Sequence, residues 1–160
     1  PDRLMYEIAL LGASDGSEVD FIEMETGSSV FEECSSFSRT KKKAKVTKLD
    51  TRRTRHSAYQ RAEVLKLDTQ GYEIEVMKGA ESLLKTTEVI ILEVSLVPIN
   101  KGAPPFSEVV NFMSSHDFKL FDFCSQIRRK DGVLWQTDLL FIREGIIPNL
   151  TAELTKENWG

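Results

Sequence analysis

Two acids stand at the ends of apolar runs. Asp68 closes Val64-Leu65-Lys66-Leu67, and Glu93 follows Val89-Ile90-Ile91-Leu92. In open α/β sheets, ligands bind beyond the carboxyl ends of the strands, so an acid there can act as a general base, a cation ligand or the holder of a hydroxyl. If the two runs are neighbouring parallel strands, Asp68 and Glu93 open on one crevice. There they could share a proton or bind a divalent cation. No residue is assigned to a metal. Gln70, in the turn Thr69-Gln70-Gly71, offers donors and acceptors to the same crevice. Glu73 begins the next helical pattern, where the helix dipole favours a carboxylate, and it is either a substrate contact or a cap. Asp138 opens the last apolar run and reads equally well as a substrate contact or a turn acid.

These side chains need a scaffold, and hydrophobic periodicity supplies its outline. Glu63–Asp68 reads as a strand. Ile74, Val76, Met77, Ala80, Leu83 and Leu84 follow at helical spacing, with Gly79 bending or splitting the helix. The link to Val89–Val94 fits a right-handed crossover, which makes this second strand parallel to the first. A helix within Phe106–His116 and an antiparallel pair, Phe118–Phe123 with Asp138–Arg143, complete this part. Upstream, Tyr6–Gly12 reads as a strand that turns at Ser14-Asp15-Gly16-Ser17 and pairs back antiparallel with Val19–Met24. Thr26–Thr40 reads as a loop, Lys45–Asp50 as a short strand, and Thr51–Arg61 as a surface crossing.

The blocks LKLDTQGYE with Lys78-Gly79-Ala80, Leu92-Glu93-Val94-Ser95 and Gln136-Thr137-Asp138-Leu139-Leu140-Phe141 occur in that order. Val46–Asp50, reading VTKLD, precedes them. Together they resemble the FkbM family of S-adenosylmethionine (SAM)-dependent methyltransferases over roughly residues 6–144. The resemblance implies a Rossmann-like class I methyltransferase sheet, mostly parallel with an antiparallel terminal strand pair. It also implies SAM as cofactor and methylation of a hydroxyl on a small-molecule, sugar or lipid-like acceptor. Asp68 and Glu93 are then the catalytic candidates. Leu10, Asp68 and Gln70 lie toward the cofactor, and Glu73 and Asp138 toward the acceptor. The glycine-rich cofactor loop of such enzymes has no counterpart here. The expectation is therefore a fold truncated on its amino-terminal side, inactive alone, with residues 1–144 as the carboxyl-terminal part of one domain and 145–160 as a tail.

A chain of 160 residues with 41% hydrophobic content can build one core. No apolar run is long enough to span a bilayer. Cys34 and Cys124 lack C-x-x-C spacing and read as buried or half-buried free thiols, which fits a cytoplasmic setting. Charge is unevenly placed. Arg39–Arg55 holds nine basic residues and one acid, a segment of +8 in a chain of −4. With no aromatic residues interleaved for stacking, this segment does not suggest nucleic-acid binding. It reads as a solvated loop, or as the working surface of a non-catalytic interaction module with a methyltransferase-like shell. His56 and His116 read as surface residues, Asn149-Leu150-Thr151 as a chance sequon, and Trp159 as able to dock on the body.

Overall fold

Strand β5 (Val89–Ser95) organises the larger of two sheets. Its alternate residues Ile90, Leu92 and Val94 are buried and the intervening ones half-buried, as the two-residue period of a pleated strand requires. In the computed structural model, which describes residues 6–24, 27–54 and 60–146, β5 pairs in parallel with β4 (Val64–Leu67). On its other side it pairs antiparallel with β8 (Leu134–Arg143), which in turn pairs with β6 (Phe118–Phe123) and with the short β7 (Ile127–Arg128). The path order is β4-β5-β8-β6.

Helices α2 (Glu73–Lys78), α3 (Glu81–Leu84) and α4 (Phe106–Ser114) supply Ile74, Val76, Met77, Leu83, Leu84, Val109 and Met113, and the link between α2 and α3 supplies Ala80, to one core with Leu67, Phe118, Leu139 and Phe141. Gly79 does split the helical pattern. A Cβ there would collide with the Gly12 carbonyl oxygen, and Asp50 N–H donates to the Gly79 carbonyl at 2.9 Å. The helix break is thus where the larger sheet's layer meets the amino-terminal region. Among the described residues, no helix is long and apolar enough to cross a membrane.

The smaller sheet corrects the expected hairpin. β1 (Leu10–Leu11) and β2 (Glu18–Glu23) do not pair with each other, because β3 (Thr40–Thr47) lies between them, parallel to β1 and antiparallel to β2. Two causes are visible. The turn after β1 wraps the end of β3: Gly16 N–H donates to the Val46 carbonyl, and Asp15 accepts from Thr47 Oγ1, Lys48 N–H and Thr51 Oγ1. Along the strands, acidic β2 faces basic β3, with Asp20 bound by Lys41 at 3.2 Å and Lys43 at 2.7 Å, and Glu23 by Lys42. Much of the basic segment is therefore a paired strand, not a loop.

Four further expectations change. The VTKLD stretch is strand only to Thr47. Asp50 lies in helix α1 (Leu49–Arg53), where its carboxylate accepts from Ser82 and Leu83 N–H at the start of α3. β8 begins at Leu134, so Asp138 lies within the strand, opposite Glu93. The sheets are not mostly parallel. Among the described residues only β1–β3 and β4–β5 are parallel pairs, because β8 returns between β5 and β6. Cys34 and Cys124 are free but exposed, since both stand on surface segments outside the packed layers. His116 stacks on Phe112, with ring centroids 4.2 Å apart. His56, Trp159 and the 149–151 triplet lie outside the described residues.

Candidate functional site

The turn that follows β4 is built from inside. Gln70 is left-handed at φ 52° and Gly71 at φ 97°, a region that side chains disfavour. A Cβ at Gly71 would also stand 2.6 Å from that of Ala103, so only glycine fits. Glu73 lies beneath, 2% exposed. Its Oε1 accepts from Thr69 N–H at 2.8 Å, Thr69 Oγ1 at 3.0 Å and Gly71 N–H at 3.2 Å. Burial raises its pKa and those hydrogen bonds only partly oppose this. The Gln70 carbonyl takes two more bonds, from Ser29 Oγ at 2.9 Å and Asn100 Nδ2 at 2.8 Å.

With the backbone so fixed, the Gln70 amide bridges the two acids. Its Nε2 donates to Asp68 Oδ1 at 3.0 Å and to Glu93 Oε1 at 2.8 Å. Gln136 Nε2 donates to the same Glu93 oxygen at 2.9 Å. Two amides thus orient one carboxylate, and Asp68 and Glu93 each come within hydrogen-bond length of a single nitrogen. Asp138 stands across from Glu93, held by Ser125 Oγ at 2.6 Å. Its other oxygen is buried without a hydrogen bond, with Lys66 Nζ 3.9 Å away. Glu93 binds its proton more tightly than an ordinary glutamate, first because it is half-buried and then because of the Asp68 charge, while the Gln70 amide acts in the opposite sense.

Two cavities meet at Asp68. The larger, about 370 Å³, is lined by Asp68, Gln70, Glu93 and Gln136 with Phe37, Ile99 and Trp135. The smaller, about 180 Å³, is lined by Leu10, Phe21, Val30, Asp68, Thr69 and Tyr72. A third groove of about 280 Å³, along Leu11, Leu49, Leu65 and Leu83, contains none of these carboxylates. It has more apolar character, but the chemistry lies elsewhere.

The expected site residues therefore separate. Asp68, Gln70 and Glu93 converge. Leu10 shares the smaller cavity with Asp68, whereas Gln70, expected on the cofactor side, lines the larger one. Glu73, expected to touch substrate, lines neither of these two cavities and instead supports the turn, because its carboxylate is the acceptor that the turn's own N–H groups require. Asp138 is beside the crevice and does not line it. Sequence reading gives no part to Ser29, Asn100, Trp135 or Gln136. Of these, only Gln136 carries a local signal, its place in the closing block.

These carboxylates and amides gather where β4 ends beside β5, the end of a parallel strand pair at which α/β sheets bind ligands. The chain belongs to the FkbM methyltransferase family, as the Methyltransferase FkbM domain matches residues 5–120. That span contains Asp68, Gln70 and Glu93 and ends within β6, before Gln136 and Asp138. No curated protein and no solved structure matches the chain significantly.

Proposed function

We propose that this methyltransferase uses SAM and methylates a hydroxyl of a small-molecule, sugar or lipid-like acceptor, with the acceptor in the larger cavity and the donor on the side of Leu10. One observation carries the reading: Asp68 lines both cavities and is tied through Gln70 to Glu93. A residue that touches both compartments is placed where two substrates meet.

The smaller cavity suits the donor's chemistry. Leu10, Phe21, Val30 and Tyr72 offer apolar surface for a purine ring, and the Asp68 carboxylate favours a sulfonium charge. When bound, SAM supplies an electrophilic methyl group, and the chain must orient the acceptor and take up its proton. An acceptor hydroxyl held in the larger cavity would give up its O–H proton to a carboxylate as it is methylated. Asp68 is the base we assign. Glu93, with its raised proton affinity and two amide donors on one oxygen, holds the acceptor and can share that proton. Gln70 keeps the two acids in register.

For the interaction-module reading, Asp20 and Glu23 already pair with Lys41, Lys42 and Lys43, three of the nine basic residues it would use. Transfer of labelled methyl from SAM to glycoside and lipid-alcohol acceptors, with wild type beside Asp68→Asn, tests the proposal. Equal rates in the two proteins would remove Asp68 as the base.

A further inference from the structure

We infer that Ser29 and Asn100 are positioning residues of the carboxylate site: by capturing the Gln70 carbonyl they hold that residue left-handed and so aim its amide at Asp68 and Glu93. The inference rests on the proposed site but not on the reaction carried out there.

Ser29 Oγ and Asn100 Nδ2 approach one carbonyl oxygen at 2.9 and 2.8 Å, from 41 residues upstream of Gln70 in one case and 30 residues downstream in the other. A carbonyl has two lone pairs, and these two donors fill both. Each donor is itself buried, Ser29 at 2% exposed and Asn100 at 5%. The Asn100 Oδ1 has no hydrogen-bond partner among the described residues. Its side chain therefore bears the cost of desolvation while its amide group makes the bond to Gln70.

The two loops that carry these donors are also tied to each other. Cys34 N–H donates to the Ile99 carbonyl at 2.7 Å, and Lys101 N–H to that of Glu32 at 2.8 Å. The pair is thus a rigid bracket over the turn, not two independent surface contacts. Released from it, Gln70 would relax toward the right-handed or extended backbone that side chains prefer, and its amide would swing away from the acids.

Glu93 reports the result without any turnover. The groups around it are Asp68 beyond β4, Asp138 on β8, Lys66 on β4 between those two acids, Glu33 on the same cavity, and the amides of Gln70 and Gln136. Of these, the Gln70 amide holds Glu93's proton affinity down. Carbon-detected NMR titration of Glu93 in the full chain is the test.

Ser29→Ala and Asn100→Ala should each move the Glu93 midpoint to higher pH, in the direction of Gln70→Ala. Added to Gln70→Ala, each should change it no further. Ser29→Thr, which keeps the hydroxyl, should restore the wild-type midpoint. The inference is overturned if Ser29→Ala, folded by its amide spectrum, leaves the Glu93 midpoint unmoved. It is also overturned if the shift persists in the Gln70→Ala background, or if Gln70→Ala itself moves nothing. Failure of methyl transfer would leave all of these outcomes readable, so the two proposals fail separately.

Discussion

The two sheets dispose of charge in opposite ways. Across β2 and β3, acids face bases: Asp20 is bound by Lys41 and Lys43, Glu23 by Lys42, and every partner is substantially open to water. At the β4–β5–β8 edge, like charges gather instead. Asp68, Glu93 and Asp138 stand together, and among the described residues Lys66 is the one base paired with them, at 3.8 Å from Asp68 and 3.9 Å from Asp138. Exposed opposite-sign ladders help specify which strands pair and add little stability. Glu93, half-buried beside carboxylates of its own sign, works against stability, and its titration is shifted accordingly. Perturbed carboxylates in a crevice are candidates for a ligand site, so the proposed site is placed in the second region and strand pairing is read from the first.

The sharpest way to break this contrast is at Asp68. If the acidic cluster is catalytic, Asp68→Asn should lower turnover by about 10²-fold or more, the scale for loss of a general base, while the affinity for SAM changes far less. The same kcat loss with a matching loss of donor affinity would make Asp68 a binding residue alone. A rate equal to wild type would reduce the cluster to a structural feature.

Next in size is the seam between the regions. Gly79→Ala places a methyl against the Gly12 carbonyl, which is backbone and cannot swing aside. Overpacking of this kind costs about 1–3 kcal/mol, so denaturant unfolding should show a clear fall in midpoint. An unchanged midpoint would mean that the two layers slide past each other freely, and that the smaller sheet does not constrain the site.

Much of the larger sheet was legible because its signals are local. The apolar alternation in Val89–Ser95, the helical spacing from Ile74 to Leu84, the break at Gly79 and the acids at Asp68 and Glu93 each lie within one short window. The smaller sheet was not. Whether β2 pairs with β1 or β3 is a choice between distant partners, decided by the Asp20 and Glu23 carboxylates finding the lysines of 41–43. Asp50 misled for a related reason: an acid after a short apolar stretch reads as a strand-end residue, and nothing nearby reveals that its acceptors serve the N–H groups of Ser82 and Leu83. Asp138 looked like a strand start because Gln136 and Thr137 are polar, yet both are buried inside β8. Ser29 and Asn100 are common loop residues, and only the folded chain brings them to Gln70.

A smaller effect separates a supporting acid from a chemical one. Burial raises the pKa of Glu73 above its ordinary 4.5. Between that value and the folded-state value, the native chain binds more protons than the unfolded chain, so stability falls as pH rises through the window. Glu73→Gln keeps an oxygen for the Thr69 and Gly71 donors and removes this slope. Stability measured from pH 4 to 7 should therefore move in the variant's favour with rising pH. Parallel profiles for the two proteins would show that the Glu73 carboxyl titrates as it does in the unfolded chain.

The least effect is expected where charge is densest. Lys41, Lys42 and Lys43 reach Asp20 and Glu23 from exposed positions on β3, and pairs of this kind are screened by water and salt. Changing all three to Gln should shift the melting temperature by no more than about 2 °C, and that shift should vanish in high salt. Methyl transfer to a neutral acceptor should be unaltered, since none of the three lines either cavity that Asp68 joins. A large, salt-independent loss of stability would mean that the ladder holds the smaller sheet together. A selective loss of transfer would mean that the basic strand meets the acceptor, and the division of labour between the two sheets would then have to be redrawn.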